Sequence, residues 1–472
     1  MERYVKSDDR NQLSFMPICF DDMIPEEAEV RALDAIVEKM DIHSLGFKYF
    51  ETKHTGRPPY DPAVMFKLYI YSYFNGIRSS RKIERECYRN IELMWLLGSL
   101  KPDFKTIANF RKDNKTQIKL AFQAFSIICD ELGLIGKEMV AVDGSKFRAC
   151  NSRDVYHSKK KLDEKIAHYT KTAAQYMKLL DSCDNDESKE PKFTKEEINQ
   201  KLDKISIRLK ELQVLRTEVE ENGNICETDP DSNMMRTANN GGDICHNVQI
   251  AVESKNHIVV AVDVTGQPLD KEQLYNISSK AKENMKSEEL TVLADRGYYS
   301  ASQFKQCADD NIIPIVPKVI SASAATLEYD KEEFIYDNER GGYICPAGQL
   351  LLPISKDKDD CIKYANIKAC QICLHKSNCT TGKFRAVQDR PFAEYARAVD
   401  ERRKAHPEAY LLRKELAEHP FGTIKRTLGF TYFLTKGTES VRAESLLHFL
   451  IYNMKRAINQ VGISKLIGVL QG

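Results

Sequence analysis

The sequence lacks three features that would assign it quickly to a class of protein. Its 472 residues contain no run of about 18 apolar residues, so we predict no membrane span. The first residues, MERYVKSDDR, are charged and contain no apolar segment, so we expect no secretion signal. The net charge is only +1, which gives no global sign of a nucleic-acid partner. An ordinary globular protein of the cytosol remains.

Local charge is less even than the total. The segment from Lys53 to Lys115 contains 13 Lys and Arg residues against 6 Asp and Glu, and the segment from Glu401 to Arg456 contains 11 against 6. Such basic segments mark an anionic partner in some proteins and are solvated helix faces in others. The chain is also too long for one compact domain, so we expect two to four.

Helical patterns occupy residues 1–135 and 158–222. The first range contains three long patterns, one that begins at Asp61 with Pro62 in its first turn, one from Ser79 to Gly98 and one from Asp103 to Leu134. The first range, with short loops and basic side chains, is typical of a DNA-binding bundle or of a structural helical domain. In the second range, Thr194 and Glu197 form a capping box, and apolar residues recur at near-heptad spacing after it. We predict an inserted antiparallel helical hairpin there, with a coiled-coil partner site as the alternative.

Strand patterns begin at Glu138 and resume after the hairpin. Their predicted order is strand, strand, strand, helix, strand, helix, strand, which ends near residue 318. This order indicates a mixed sheet with helices packed on it, and therefore an α/β fold. Residues 319–400 form a cysteine-rich segment, and residues 401–472 return to helical patterns.

Two aspartates end apolar strands. Asp143 follows EMVAV and Asp295 follows TVLA. If these strands are neighbours in the sheet, the two carboxylates lie side by side and repel each other unless a cation lies between them. Mg²⁺ suits such oxygen ligands, and two such ions can activate an attacking oxygen and stabilise a leaving one in phosphodiester chemistry.

A third acid is expected from a helix near those strand ends. Glu418 lies seven residues before Lys425, so a regular helix would place both on one face, with Arg413 a little earlier. Pro420 predicts a kink or a helix start close to Glu418. Glu444, in a strongly apolar helix, is the alternative third acid.

Taken together, these segments resemble a DDE-type transposase of bacterial insertion sequences, a family with a ribonuclease-H-like catalytic core. The resemblance covers nearly the whole chain. It rests on the N-terminal segment around DPAVMFKLYIYSYFNG, on VAVDGSKFRA, on LADRGYYS and on EHPFGTIKR. It implies a bacterial cytoplasmic protein that acts on nucleoid DNA.

The resemblance implies roles for particular residues. Asp143, Asp295 and Glu418 would hold two Mg²⁺ or Mn²⁺ ions, and water followed by the freed 3′-hydroxyl would attack DNA. The family signature orders Tyr, Arg, Glu and Lys, and here four residues separate Arg413 from Glu418 where the signature has three. The residues predicted to contact DNA are Lys425, Arg413, Tyr410, Lys146, Arg148 and Arg296.

Five of the thirteen cysteines crowd into one segment, at Cys345, Cys361, Cys370, Cys373 and Cys379. A C-x-x-C pair with further cysteines favours structural Zn²⁺, held by Cys345, Cys370, Cys373 and Cys379, with His375 as a substitute for one thiolate. Free or redox-sensitive cysteines are the alternative. The resemblance to one branch of the family supports a cysteine-cluster insertion that contacts DNA.

The predicted organisation has four parts: an N-terminal helical DNA-binding domain at 1–135, a ribonuclease-H-like core at 136–318 with the inserted hairpin at 158–222, the cysteine-rich insertion at 319–400, and the C-terminal helical part of the core at 401–472. The predicted function is cleavage of insertion-sequence ends and strand transfer into target DNA. The predicted partners are the terminal inverted repeats, target DNA and a second copy of the chain. Two alternatives stay open, namely a metal-dependent nuclease and a non-catalytic DNA-binding protein derived from a transposase.

Overall fold

The structure is a computed structural model that describes residues 19–48, 58–150, 155–185, 194–237, 241–318, 329 and 333–471. Some sequence predictions fall outside these residues. They concern the charged first segment, most of the linker within the predicted hairpin, and the first ten residues of the cysteine-rich segment.

Among the described residues, six α-helices form the N-terminal region, which the sequence predicts to be helical. They are α1 (Glu29–Lys39), α2 (Pro62–Phe74), α3 (Ser80–Glu86), α4 (Ile91–Leu96), α5 (Phe104–Asp113) and α6 (Lys115–Glu131). The side chain of Asp61 caps α2 by accepting a hydrogen bond from Ala63 N at 2.8 Å, and Pro62 occupies the first turn. Residues 66 and 68–74 of α2 are all buried, so it is a central helix of this region.

Two of the predicted long helices are each broken once. The pattern from Asp103 to Leu134 continues through Asn114, but α5 ends there and α6 begins. The buried Asn114 side chain donates to Phe110 O at 2.9 Å and accepts from Lys48 N at 2.7 Å, so it ties the turn to a distant loop. The pattern from Ser79 to Gly98 breaks in the same way at Asn90, whose side chain caps α4.

A six-stranded mixed sheet forms the centre of the molecule. Its strands are β1 (Met139–Arg148), β4 (Asn233–Arg236), β5 (Gly242–Glu253), β6 (Val259–Thr265), β7 (Leu290–Leu293) and β8 (Ile312–Ile315), with β2 (Tyr156–His157) and β3 (Ile225–Cys226) paired separately. Strand β5 pairs with β1 on one side and with both β4 and β6 on the other, and the order continues from β1 to β7 and β8. Strands β5 and β6 are antiparallel to their neighbours, whereas β1, β7 and β8 are parallel. The helices α9 (Leu274–Met285) and α10 (Ala301–Asp309) follow β6 and β7, so the predicted element order is confirmed.

The predicted hairpin is present as α7 (Lys159–Asn185) and α8 (Lys195–Asn222). The capping box is formed, because Glu197 N donates to Thr194 Oγ1 at 3.2 Å and Thr194 N donates to Glu197 Oε2 at 2.9 Å. Leu162 and Leu212 are fully buried between the two helices. The hairpin therefore has a small apolar core of its own.

A second sheet lies in the cysteine-rich segment, for which we predicted no strands. Its strands are β9 (Ile335–Asp337), β10 (Gly342–Ile344), β11 (Leu350–Lys356), β12 (Ile362–Ala365) and β13 (Ala386–Asp389), with short helices α11 (Ile367–Gln371) and α12 (Lys376–Cys379). All neighbouring strands are antiparallel. We call residues 329 and 333–389 the cysteine module.

The C-terminal region is helical, with α13 (Ala393–Ala405), α14 (Ala409–Gly422), a π-helical turn (Thr423–Thr427), α15 (Thr438–Val461) and α16 (Ile463–Gln471). Helix α15 packs on α2, α6 and β6, and α16 packs on α1. One continuous apolar core therefore joins the N-terminal helices, the central sheet and the C-terminal helices. Among the described helices, none has the length and apolar character needed to cross a bilayer.

Candidate active site

Asp143 and Asp295 lie beside each other on two neighbouring strands, Asp143 in the middle of β1 and Asp295 just after the end of β7. The prediction that Asp143 ends its strand is wrong, because β1 stays paired with β5 as far as Arg148. Strands β1 and β7 run in parallel, with Ala141 paired to Leu293, and each aspartate follows two residues later. The backbone N–H groups of Gly144 and Gly297 hold the two carboxylates, at 2.9 Å and 2.7 Å respectively. The sequence prediction that these two acids share one edge of the sheet agrees with this geometry.

Arg413 bridges the acid pair. Its Nη2 lies 2.7 Å from Asp143 Oδ1 and 3.8 Å from Asp295 Oδ2. Helix α14 supplies this residue because its apolar side, which includes Leu416 and Ala417, packs on Ala141 and Leu293. The guanidinium is only 11% exposed, and its Nε is buried without a hydrogen-bond partner. A cation therefore occupies the space between the two carboxylates.

The electrostatics of Asp143 follow from this packing. Burial raises its pKa to about 6, Arg413 opposes that rise, and the charges of Asp295 and Asp270 add to it. Within the described residues, no three His, Cys, Asp or Glu side chains form a group that could hold a metal ion. The structure thus brings together two of the three predicted acids.

Glu418 is the acid that lies apart. It is exposed, and within the described part of the chain its carboxylate has no hydrogen bond or ion pair. It is five positions after Arg413, with four residues between them, so the two side chains are about 140° apart around a regular helix. Glu418 and Lys425 also do not share one face of a regular helix, because Pro420 and the π-helical turn lie between them.

Lys425 reaches the same edge of the sheet from the other end of α14. Its Nζ donates to Ser145 Oγ at 2.7 Å and to Lys146 O at 3.2 Å, and it lies 4.4 Å from the centre of the Phe147 ring. Burial lowers the pKa of the Lys425 ammonium, and the charge of Asp143 partly opposes this shift. Lys425 is thus half-buried along β1, within the electrostatic reach of Asp143.

The other residues predicted to contact DNA differ in exposure. Arg148, Arg296 and Tyr410 are exposed, and Arg148 forms an ion pair with Asp243 at 3.1 Å. Lys146 points inward, because its Nζ lies 3.2 Å from Asp270 Oδ1 and its side chain is only 18% exposed.

Glu444, the alternative third acid, is buried in α15. Its carboxylate accepts hydrogen bonds from Leu434 N, Thr435 N and Thr435 Oγ1, at 3.1, 3.1 and 2.7 Å. These bonds fix the loop before α15 and use the acceptor positions of the carboxylate. The local geometry is that of a buried structural carboxylate.

The acid pair fits a divalent cation by its donor chemistry. Asp143 and Asp295 offer only oxygen atoms, which are the ligands that Mg²⁺ and Mn²⁺ prefer. The cationic group of Arg413 already lies between them, so the location favours positive charge. Asp143 and Asp295 are the side chains that would hold such an ion.

The cysteine module places four thiols around one small cavity. Cys345, Cys370, Cys373 and Cys379 line it together with His375, and its volume is about 30 Å³. Burial raises the pKa of Cys379, and the charges of the other three cysteines add to the rise. Cys361 is turned toward Asp357 and Asp359 instead. The four thiols are neighbours, although they do not converge into the geometry of a metal site.

Sequence reasoning missed Asp270. This residue lies in the loop after β6, and its carboxylate accepts hydrogen bonds from Asn247 Nδ2 and Gln249 Nε2 at 2.6 and 2.7 Å. Its charge acts on Asp143 and on the buried hydroxyl of Tyr298. No motif marked it, because Asn247 and Gln249 come from β5 and only the folded sheet brings them to Asp270.

Two family models match the chain. Residues 18–113 match the family described as Transposase domain (DUF772), and residues 344–458 match the family described as Transposase DDE domain. The first match covers helices α1 to α5. The second covers most of the cysteine module, Glu418, Lys425 and most of α15, and it begins after Asp143 and Asp295.

The comparison with solved structures gives a weaker likeness. The structure titled "Cryo-EM structure of piggyBac transposase synaptic complex with hairpin DNA (SNHP)" is 8% identical, with a TM-score of 0.32, over 93% of this chain and 76% of that chain. No curated protein matches the chain in sequence. The two family matches, near opposite ends of the chain, support a DDE-type transposase of the insertion-sequence type, and therefore a DNA transposase.

Proposed function

We propose that this transposase cuts the ends of its insertion sequence by metal-dependent phosphodiester cleavage and then transfers the freed strand into target DNA. The observation that carries the proposal is the acid pair, in which Asp143 of β1 and Asp295 after its parallel neighbour β7 lie around Arg413. A like-charged pair at a sheet edge is costly in a folded protein unless a cation compensates it. DNA is the substrate, both as the element ends and as the target.

We propose a ribonuclease-H-like core for the central sheet. Supporting this, the strand order is β6, β5, β1, β7, β8, with the first two strands antiparallel and the last three parallel. The central strand β1 carries Asp143, and its parallel neighbour β7 leads to Asp295.

The roles of the acids follow from their positions. Asp143 and Asp295 would hold the divalent cation, and Glu418 would complete the ligand set from α14. Two such ions supply activation of an attacking oxygen and stabilisation of a leaving one. Arg413 neutralises the acid pair before the cation binds and then becomes available to a phosphate. The side chains that would position the DNA backbone are Lys425, Arg148, Arg296 and Tyr410. Lys146, which points inward from β1, would contribute only its charge.

We propose that the N-terminal helical region binds DNA through α5. Lys105, Asn109 and Lys112 are exposed and spaced by four and three residues, so they share one face. Arg111 turns the other way and donates to Tyr73 Oη at 2.6 Å. Lysine matches phosphate, and asparagine can pair with an adenine edge in the major groove. This face therefore has the chemistry of a helix that reads double-stranded DNA.

Binding measurements test the α5 face. We expect Lys105→Ala and Lys112→Ala each to weaken binding to the element end and to reduce the salt slope by about 1. Asn109→Ala should cost about 1–3 kcal/mol on the preferred sequence and less on unrelated DNA. Lys119→Ala, which removes an exposed lysine from α6, is the matched control. Equal losses for all four variants would reject α5 as the reading helix.

We propose structural Zn²⁺ in the cysteine module, bound by Cys345, Cys370, Cys373 and Cys379. The shared cavity supports this set, and the orientation of Cys361 argues for leaving it out. Four thiolates suit a closed tetrahedral zinc site. We also propose a homodimer, because joining two element ends in one reaction requires two sets of end-binding surfaces.

Cleavage and joining in one assay test the central proposal. The purified chain is incubated with end DNA, a target plasmid and Mg²⁺ or Mn²⁺. We expect end cleavage and a joined product, and a loss of at least about 1,000-fold in Asp143→Asn, Asp295→Asn and Glu418→Gln. Glu415→Gln, on the same helix and also exposed, is the matched control and should remain active.

The other outcomes separate the alternatives. Cleavage without joining would identify a nuclease, and sequence-specific binding without cleavage in either metal would identify a DNA-binding protein derived from a transposase. Full activity in Glu418→Gln would remove Glu418 from the ligand set while leaving the acid pair in place.

A further inference from the structure

A polar network lies against β1 on the side opposite α14. Asp270 is its centre, because Asn247, Gln249 and Lys146 all donate to its carboxylate. The hydroxyl of Tyr298 donates to Gln249 Oε1 and extends the network to the turn that follows Asp295. The network thus connects β1, β5 and the Asp295 turn behind the acid pair.

Two glycines let Asp270 approach both strand ends. Gly144 directly follows Asp143, and a Cβ at this position would overlap the Gln249 amide and lie 2.7 Å from Asp270 Oδ1. Gly297 follows Asp295 by two residues, and a Cβ there would lie 2.9 Å from Asp295 Oδ1 and 3.9 Å from Asp270 Oδ2. Asp270 therefore occupies the space behind both predicted metal ligands.

The two oxygens of Asp270 have different surroundings. Oδ1 accepts hydrogen bonds from Asn247, Gln249 and Lys146, whereas Oδ2 has only Lys146, at 3.3 Å, and faces the Asp295 turn. The side chain is 24% exposed, so the carboxylate is neither free in solvent nor fully enclosed. The hydrogen bonds to Oδ1 fix the position of the Asp270 carboxylate. The negative charge at Oδ2 adds to the electrostatic potential near the acid pair.

The charges around the acid pair are balanced before Glu418 is counted. Asp143, Asp295 and Asp270 carry three negative charges, and Arg413, Lys146 and Lys425 carry three positive charges. A carboxylate that served only to brace the loop would gain nothing from lying near two others, because like charges at short range are costly.

We propose that Asp270 is a positioning residue that strengthens divalent-cation binding at Asp143 and Asp295, without being a ligand itself. This inference rests on the proposed role of the acid pair. Asp270 supports β1 directly through Lys146 and the Asp295 turn indirectly through Gln249 and Tyr298, and its charge increases the attraction of the site for a cation. Outer carboxylates of this kind typically change metal affinity by about 10–100-fold.

Mn²⁺ binding to the full chain, measured by calorimetry without DNA, tests the proposal. We expect Asp270→Asn to weaken Mn²⁺ binding about 10-fold and to raise the Mn²⁺ concentration for half-maximal end cleavage by a similar factor. The cleavage rate at saturating Mn²⁺ should stay within a few-fold of the wild type. Asp263→Asn is the matched control, because Asp263 is also paired with two cations, Lys280 and Arg442.

A second variant separates positioning from general loss of structure. Gly144→Ala removes no charge but displaces Asp270 and Gln249, and we expect it to weaken Mn²⁺ binding in the same direction. Melting temperatures of all variants identify any that fail to fold. Unchanged Mn²⁺ affinity in both folded variants would overturn the proposal.

The Mn²⁺ binding measurements distinguish failure of this inference from failure of the proposed function. If Asp143→Asn and the wild type bind Mn²⁺ equally, the acid pair is not a metal site and both ideas are rejected. If Asp143→Asn loses Mn²⁺ but Asp270→Asn does not, only the role of Asp270 is rejected.

Discussion

The central sheet is mixed, whereas the sheet of the cysteine module is antiparallel. The two regions also differ in what stabilises them. The central sheet lies inside a continuous apolar core that reaches from α1 to α16. The cysteine module has five fully buried apolar residues, and three of them are aromatic: Phe334, Tyr343, Leu351, Tyr364 and Val387. A large apolar core can offset the cost of carboxylates at its edge. A small core depends on cross-links for stability, and the proposed zinc ion would be such a cross-link.

The largest effect is expected when the proposed zinc cross-link of the cysteine module is removed. We expect Cys373→Ser to speed amide exchange in β11 and β12 by at least about 100-fold, with β5 unchanged, because the module core is too small to persist without metal. Hydrogen exchange followed by mass spectrometry measures this. Cys361→Ser is the control, since Cys361 lies outside the cavity. Equal protection in both variants would show that the module is stable without a metal.

Leu351→Ala and Leu293→Ala make the same deletion in the two regions, at residues that are each 1% exposed. We expect each to lower the free energy of unfolding by about 2–5 kcal/mol. Leu351→Ala should open only the module and leave the urea transition of Trp95, the single tryptophan, unchanged. Leu293→Ala should shift that transition. A shift of Trp95 in both variants would mean that the module and the main core unfold together.

A smaller effect comes from Asp143 and depends on pH. Its pKa is raised from 3.8 in the unfolded chain to about 6 in the folded one, so the folded state prefers the protonated form. Folding stability is therefore unaffected below pH 4 and falls as pH rises from about 4 to 6. In EDTA, we expect the wild type to lose about 1–3 kcal/mol across this range relative to Asp143→Asn. A constant difference between the two proteins would contradict the burial of this carboxylate.

The smallest effect is expected at Glu418. Because its carboxylate is exposed and has no partner among the described residues, Glu418→Gln should change the free energy of unfolding by less than about 0.5 kcal/mol. Thermal unfolding measures this alongside the activity assay. A larger loss would reveal a structural role and complicate any effect on cleavage.

The sequence predicted those features that depend on local pattern. The apolar approach to Asp143 predicted β1, the pair Thr194 and Glu197 predicted the start of α8, and Asp61 with Pro62 predicted the start of α2. In each case the signal lies within a few residues of the feature. The side-by-side aspartates were also predictable from two apolar runs on neighbouring strands, although β1 continues past Asp143 to Arg148.

Other features depend on residues that are distant in sequence. The break at Asn114 needs Lys48, and the position of Asp270 needs Asn247 and Gln249. The strands of the cysteine module are mostly three or four residues long, which is too short for a reliable period-2 pattern. The spacing of Glu418 and Lys425 suggested one helix face, but the π-helical turn changes the rotation between them.

The packing of α1 against α16 also has a consequence for how the protein is made. More than 400 residues separate the end of α1 from the start of α16, so the ribosome releases the two partners at very different times. At synthesis rates of about 5–20 residues per second, the interval is roughly 20–90 s. The apolar faces of α1 and α2 must stay exposed, or be shielded by a chaperone, until α15 and α16 emerge. Ribosomes that stall late in the message would therefore release chains with an open core, which are prone to aggregation and proteolysis.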